Sequence, residues 1–531
     1  MIASARRPLG DYNVDAGRLT LLCLCAVALG IVGAFVAKLL LLAIGAITHF
    51  AYEGVWNPSL GQPDPRHWGP VSILIPVAGG LLVGLIARYA TSKIRGHGIP
   101  EAIQSILEGD SIVQARVAFW KPIASAITIG SGSPFGAEGP IIMTGGAIGS
   151  LFAQFVHLSS LERRTLLVAG AAAGMSATFG APIASVLIAV ELLLFEWRPR
   201  SFVPVAVAAV VADVLRGWLI APSPPFAVAM PATLAPTELG WALLVGIAGG
   251  AISLLMTKLV YLTEDLYEKL PVHWMWWPAI GGAIVGVGGW FVPQALGVGY
   301  PTIAGMLNGN LVVAAIAGII VVKIGIWVVS LSSGTSGGVL APLLMIGAAM
   351  GTLIGTAVPG HHAPAWALVG MAALMGGTMR APFMGTLFAL ETTRAWGLAP
   401  EVFVGCIAAT AFTVLFVPRS ILTEKLARRG THVAREYAVD PLEFIAVGDL
   451  MAPPDSALPR DDALQAGDRA REAADRLAHS HERALAVVDE AGAMVGSFGA
   501  PELLAAYRHG SKGERRRWRV RRFRKMWKRA H

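Results

Sequence analysis

The stretch from 19 to 48 carries no charge except Lys38, and a run of that kind leaves the chain few ways to fold. About 20 consecutive apolar residues suffice to cross a bilayer as a helix. Comparable runs recur at roughly 71–90, 201–220, 240–262, 311–332 and 399–418. With 55% apolar and 14% charged residues over 531 positions, the composition excludes an ordinary water-soluble enzyme. The expectation is an all-α polytopic membrane protein. A cleavable signal peptide is not expected, because the first run continues past signal-peptide length. Arg6, Arg7 and Arg18 precede that run, which places the N-terminus (1–18) in the cytoplasm by the positive-inside rule. Cys23, Cys25 and Cys406 all lie in apolar segments, so neither a disulfide framework nor a metal cluster is expected.

The chain also repeats itself. "GAAAGMSATFGAPIASVLIAVELL" (170–193) and "GMAALMGGTMRAPFMGTLFALETT" (370–393) share residues in register, and so do "GPIIMTGGAIGSL" (139–151) and "APLLMIGAAMGTL" (341–353). Two repeats are expected, at about 70–220 and 240–430. Duplicated halves built from Gly- and Pro-interrupted apolar segments point to a transporter or channel with its site where broken helices end. Pro100, Pro140, Pro182, Pro342 and Pro382 each open such a segment, as suits the first turn of a helix. A helix start offers free N–H groups and roughly half a positive charge, so several converging starts make an anion site without any Lys or Arg.

Into that setting "SGSPFGAEGP" (131–140) places Glu138, the only charged residue between Lys121 and Glu162. A carboxylate just ahead of a helix start can occupy the seat the amides offer to a passing anion. Displacing or protonating it opens the path.

"GHGIPE" (96–101), "GAEGP" (136–140) and "GGVLAP" (337–342) resemble, in order, the three pore-loop motifs of the CLC family of chloride channels and proton/chloride exchangers. "RSILTEKLARRG" (419–430) stands in place of that family's final pore helix. The resemblance runs over 19–430. It implies a CLC-like inverted repeat with broken helices, a homodimer with one pore per subunit, chloride as the transported ligand, and Glu138 as the gating glutamate. It also implies an anion path along His97, Gly98, Ile99, Ala137, Gly139, Val339, Leu340, Ala341 and Leu422, with the Val339 and Leu340 amides at the central site and Gly139 near the outer one. No cofactor is implied, and the expected compartment is the bacterial inner membrane with both termini cytoplasmic.

Three departures bear on mechanism. His97 replaces the usual serine of the first motif, an imidazole in place of a hydroxyl. Leu422 occupies the position of the inner tyrosine. Leu192 follows Glu191 where proton-coupled members commonly carry a second acid. Losing both the inner acid and the tyrosine favours passive conduction, and proton-coupled exchange is the alternative because Glu138 persists. Glu191 and Glu391 are expected to be structural acids near helix ends. "GTSGG" (334–338) formally matches a nucleophile-elbow pattern at Ser336, but no preceding soluble strand and no Asp–His pair accompany it, so a membrane hydrolase is a distant alternative and the chain is read as no enzyme.

After Gly430 the composition turns charged. "VGDLM" (447–451) is expected to give an opening strand and helix, and 484–507 a strand, turn, strand and helix, so 431–510 resembles a truncated CBS domain. Such repeats work in pairs, which makes nucleotide binding doubtful and pairing across a dimer the preferred reading. Residues 511–531 hold eleven Lys or Arg against Glu514, a tail suited to anionic lipid headgroups. No nucleic-acid recognition fold accompanies it.

Overall fold

The computed structural model describes residues 16–108, 111–156, 158–194, 196–228, 236–358, 362–430, 442, 445–459, 463–480, 482–489 and 492–510. The expectations for residues 1–15, the segment 431–441 and the basic tail lie outside these. The chain divides into two units, Met1–Arg435 and Glu436–His531.

The first half of the membrane unit runs α1 (Ala16–Glu53), α2 (Leu74–Tyr89), α3 (Ile99–Glu108), α4 (Ala115–Gly130), α5 (Glu138–Phe155), α6 (Ser160–Phe179), α7 (Pro182–Ile188) and α8 (Pro199–Leu219). The second runs α9 (Leu239–Glu268), α10 (Trp277–Phe291), α11 (Tyr300–Leu307), α12 (Val313–Ser332), α13 (Leu340–Gly355), α14 (Ala363–Met379), α15 (Pro382–Thr393) and α16 (Ala399–Phe416), with α17 (Ile421–Arg428) after it. Among the described residues six helical segments are long and apolar enough to span a bilayer, and they coincide with the six runs read from the sequence. The short helices between them start at the expected prolines, with Pro182 and Pro382 opening their helices directly.

Equivalent helices of the two halves meet antiparallel. A Cβ on Gly80 would strike the Pro278 carbonyl, and one on Gly282 would strike the Pro76 carbonyl. Gly84 and Gly286 press in the same reciprocal way on Met275 and Ile73. The α2–α10 seam is therefore a backbone-to-backbone contact that only glycine permits, and its symmetry is that of an inverted repeat. α1 packs on α6 and α8 as α9 packs on α14 and α16. The first repeat thus reaches back to α1 instead of beginning near residue 70, because α1, like α9, supplies the long helix against which its own half closes.

Glu191 and Glu391 repeat the symmetry in polar form. Glu191 follows α7 in a π-helical turn and accepts hydrogen bonds from the amides of Phe383 (3.4 Å) and Met384 (2.9 Å) at the start of α15. Glu391 on α15 accepts from Ile183 (3.0 Å) and Ala184 (2.8 Å) at the start of α7. Each half caps a helix of the other. Glu391→Ala strands the part-buried Ile183 amide and the buried Ala184 amide at a positive helix end and is expected to destabilise the fold by about 2 kcal/mol, read as a lowered melting temperature of the purified protein in detergent.

Unit 2 is a small α/β element. β1 (Leu464–Gln465) pairs parallel to β2 (Ala484–Val488), which pairs antiparallel to β3 (Met494–Gly499), and α18 (Ala470–His479) and α19 (Ala500–Gly510) complete it. Leu464, Leu485, Val487 and Phe498 form its core. The expected strand and helix at 447–451 are not formed. Val447–Asp449 is a single 3-10 turn, and the N–H groups of Val447 and Gly448 donate to Asp468 and Ala466, which ties the segment to the loop after β1 before a helix can extend.

Candidate functional site

Three interrupted segments converge inside the membrane unit. The Gly96 amide donates to the Thr335 carbonyl at 3.2 Å, and Gly136 and Gly338 exchange hydrogen bonds of 3.5 and 3.0 Å. The Ser336 Oγ is paired with Ser125 Oγ at 2.8 Å in a buried site, a second hydroxyl where a nucleophile elbow would need a general base. The junction brings the starts of α3, α5 and α13 together, as the three motifs require.

Glu138 sits at this junction with its side chain wholly enclosed. Its Oε1 accepts a 2.6 Å hydrogen bond from the Ala341 amide, and the Leu340 amide also faces it. Its Oε2 has no hydrogen-bond partner. The carboxylate therefore stands where the α13 start presents N–H groups, one residue beyond the Val339–Leu340 pair expected for the central anion. Glycine is obligatory around it. A Cβ on Gly136 would overlap Oε2, and one on Gly338 would lie 2.8 Å from the carboxyl carbon.

The other residues of the expected path are all buried. Ala137 precedes α5, Gly139 lies in its first turn, and the His97 carbonyl closes on Gly139. The His97 ring is 2% exposed and its Nδ1 has no partner. The Gly98 amide donates to Glu101 Oε2 at 3.1 Å, so that donor is engaged, and Ile99 follows it at the start of α3. Leu422 is fully buried in the first turn of α17, a helix capped by Ser420 and packed on α3. Leu192 is also fully buried.

Two wholly buried lysines, not anticipated from the sequence, stand behind loops around this junction. Lys121 on α4 donates to the carbonyls of Ile94 (2.8 Å) and Gly96 (2.6 Å). Lys323 on α12 donates to those of Ala295 and Gly297, both at 2.9 Å. The two are repeat mates, and each ammonium pins the glycine loop that leads into a short helix. Lys323 also lies close enough to Glu138 for the two charges to interact. The loop it holds, "GVGYP" (297–301), is the counterpart of "GHGIP" (96–100), with which it shares two glycines and a proline.

A cavity of about 680 Å³ opens at one face of the unit. Lys93, Arg95, Lys425, Arg428 and Arg429 line it, against Glu101, Glu264 and Glu268, an excess of cations at the mouth. Met143, Ser332 and Gly334 also line it and border the loop junction. Residues 112–114, just before α4, belong to this cavity, whereas the C-terminal end of α4 touches the Gly297 loop, whose amide donates to Gly132 at 2.9 Å. The cavity and the Gly297 loop therefore lie toward opposite faces, about 24 Å apart along α4, with Glu138 between them.

Two inverted repeats around a buried carboxylate docked on helix-start amides define an anion-transport membrane protein of the broken-helix class. The chain belongs to the voltage gated chloride channel family, whose model matches residues 79–414. It is 30% identical over 367 residues to a ClcB-like chloride channel protein of Ralstonia nicotianae, covering 67% of this chain and 85% of that one. It is 31% identical over 376 residues to the H+/Cl− exchange transporter ClcA of Salmonella arizonae, covering 67% and 78%. A slow cyanobacterial Cl−/H+ antiporter shares the fold at a TM-score of 0.70 with 21% identity, over 78% of this chain and 98% of that one. A CLC-type fluoride/proton antiporter shares it at 0.64 with 19% identity, over 77% and 98%.

Proposed function

We propose that this protein exchanges chloride for protons across a bacterial inner membrane, with Glu138 as the group both ions use. The observation that carries the reading is the enclosed carboxylate bonded to the Ala341 amide at 2.6 Å. A carboxylate held by backbone N–H groups is a stand-in for the transported anion. It leaves its seat when chloride competes for the amides or when a proton removes its charge, and either event links the two ions. The Salmonella relative is named an exchanger, which favours coupling over passive conduction. Passive conduction has one observation of its own: Leu192 is buried where an inner proton acid is common, so protons reach Glu138 by another route or not at all.

The test is proteoliposome flux with chloride and pH electrodes together. Proton uptake driven uphill by a chloride gradient supports exchange. Chloride flux without it supports conduction.

In this reading the His97 imidazole, with its unpartnered Nδ1, donates to the anion at the inner site, and Leu422 lines the constriction without donating. His97→Ala is expected to weaken chloride binding about tenfold, the loss of one hydrogen bond to a charged group, and His97→Ser to restore most of it, both read by isothermal titration. Unchanged binding in the alanine variant would remove His97 from the path. The homodimer would form through the exposed apolar side chains of Ile183, Phe383, Phe403 and Ile407 on α7, α15 and α16. Contact of the 511–531 tail with anionic lipid, cytoplasmic termini and the absence of a cofactor complete the proposal.

A further inference from the structure

Besides His97 Nδ1, an acceptor and a donor close to Glu138 are enclosed and unpaired. One is Glu138 Oε2, an acceptor. The other is the hydroxyl of Tyr300, a donor at the first position of α11. Glu138 was an expected site residue and Tyr300 was not, and their chemistry is complementary.

Tyr300 follows the Gly297–Gly299 loop, on the side of Glu138 away from the cavity of basic residues. Its ring is edge-on to Phe226 (5.4 Å between centroids) and to Phe179 (6.1 Å), and Phe179 is in turn edge-on to Phe388 (5.0 Å). Glu138 and Arg216 lie near enough to Tyr300 for their charges to act on it. Arg216 is already engaged, donating to the carbonyls of Ala221 (2.8 Å) and Ser223 (3.0 Å). A buried hydroxyl without a partner loses its hydration and gains nothing in return. Phenylalanine would fill the same space among these rings without that penalty.

We propose that the Tyr300 hydroxyl is the outer station of the Glu138 carboxyl. When the carboxyl leaves the Ala341 amide it turns away from the cavity, and the Tyr300 O–H donates to it within the cage of Phe179, Phe226 and Phe388. The positive edges of those rings suit a carboxyl, and the hydroxyl supplies the single directed hydrogen bond. Tyr300 is thus a positioning residue, acting on the anion through Glu138. This rests on the gating reading of Glu138.

The test uses the full-length protein in liposomes, comparing wild type, Tyr300→Phe, Glu138→Ala and the double variant. Tyr300→Phe is expected to slow chloride turnover about tenfold by removing the bond that receives the carboxyl, while its melting temperature stays level or rises because an unpaired hydroxyl is gone. In the Glu138→Ala background the same substitution is expected to leave chloride flux within twofold of the single variant. Full-speed turnover by Tyr300→Phe overturns the inference and leaves the gating reading intact. Equal slowing with and without Glu138 also overturns it, since the effect would then not pass through the carboxyl. A wild type that moves no chloride overturns both.

Discussion

Glu138→Gln is expected to abolish proton movement while chloride continues to cross at a rate no lower than one third of wild type. The carboxamide keeps the shape of the acid but has neither a charge nor a titratable proton. The bond its oxygen can accept from the Ala341 amide is neutral, roughly half as strong as the charge-assisted bond it replaces. Chloride then meets a weaker competitor for the α13 start, and the pH dependence of chloride flux is expected to flatten. Simultaneous chloride and pH recording distinguishes the outcomes. Proton uptake that survives in the variant would show that protons bypass Glu138 altogether. A complete loss of chloride flux would show that the acid is needed for more than gating.

The buried carboxylate of Glu138 was legible in the sequence because of what surrounds it. A lone acid among glycines, prolines and apolar residues has no solvent to face, so its partners must be backbone amides, and the prolines mark where such amides are free. The six long helices followed from apolar run length, which lipid enforces more strictly than water does. Tyr300 was missed because "GHGIP" and "GVGYP" share only two glycines and a proline, too little to mark an alignment of membrane segments rich in small residues. The lysines were missed for a different reason. Taken alone, Lys121 and Lys323 are unfavourable charges in apolar runs, and nothing local announces the four carbonyls that satisfy them. Reciprocal capping by Glu191 and Glu391 bridges some 200 positions, so only the repeat could have suggested it. The 447–451 segment went the other way: its strand-and-helix pattern is real, but bonds to Ala466 and Asp468 override it.

Replacing a buried lysine tests whether these clamps hold the site or merely fill it. Lys323→Met keeps most of the side-chain volume and removes the ammonium, leaving the Ala295 and Gly297 carbonyls unpaired in an interior that excludes water. Each orphaned carbonyl is worth about 1–3 kcal/mol, so a total loss of about 2–6 kcal/mol is expected, partly offset because a charge no longer has to be buried. Lys121→Met removes the equivalent pair of bonds from the Ile94–Gly96 loop and is expected to lower stability by a similar amount. Their functional signatures should differ. The Lys121 loop carries His97, whereas the Lys323 loop leads into Tyr300 and lies beside Glu138. Lys121→Met is therefore expected to act mainly on chloride affinity. Lys323→Met removes a cation near enough to Glu138 for their charges to interact, and is expected to act on chloride turnover and on its dependence on pH. Melting temperature, chloride titration and flux on the two purified variants separate these effects. Equal changes in all three readouts would mean that both lysines are structural alone, and would detach the field around Glu138 from the charge on α12.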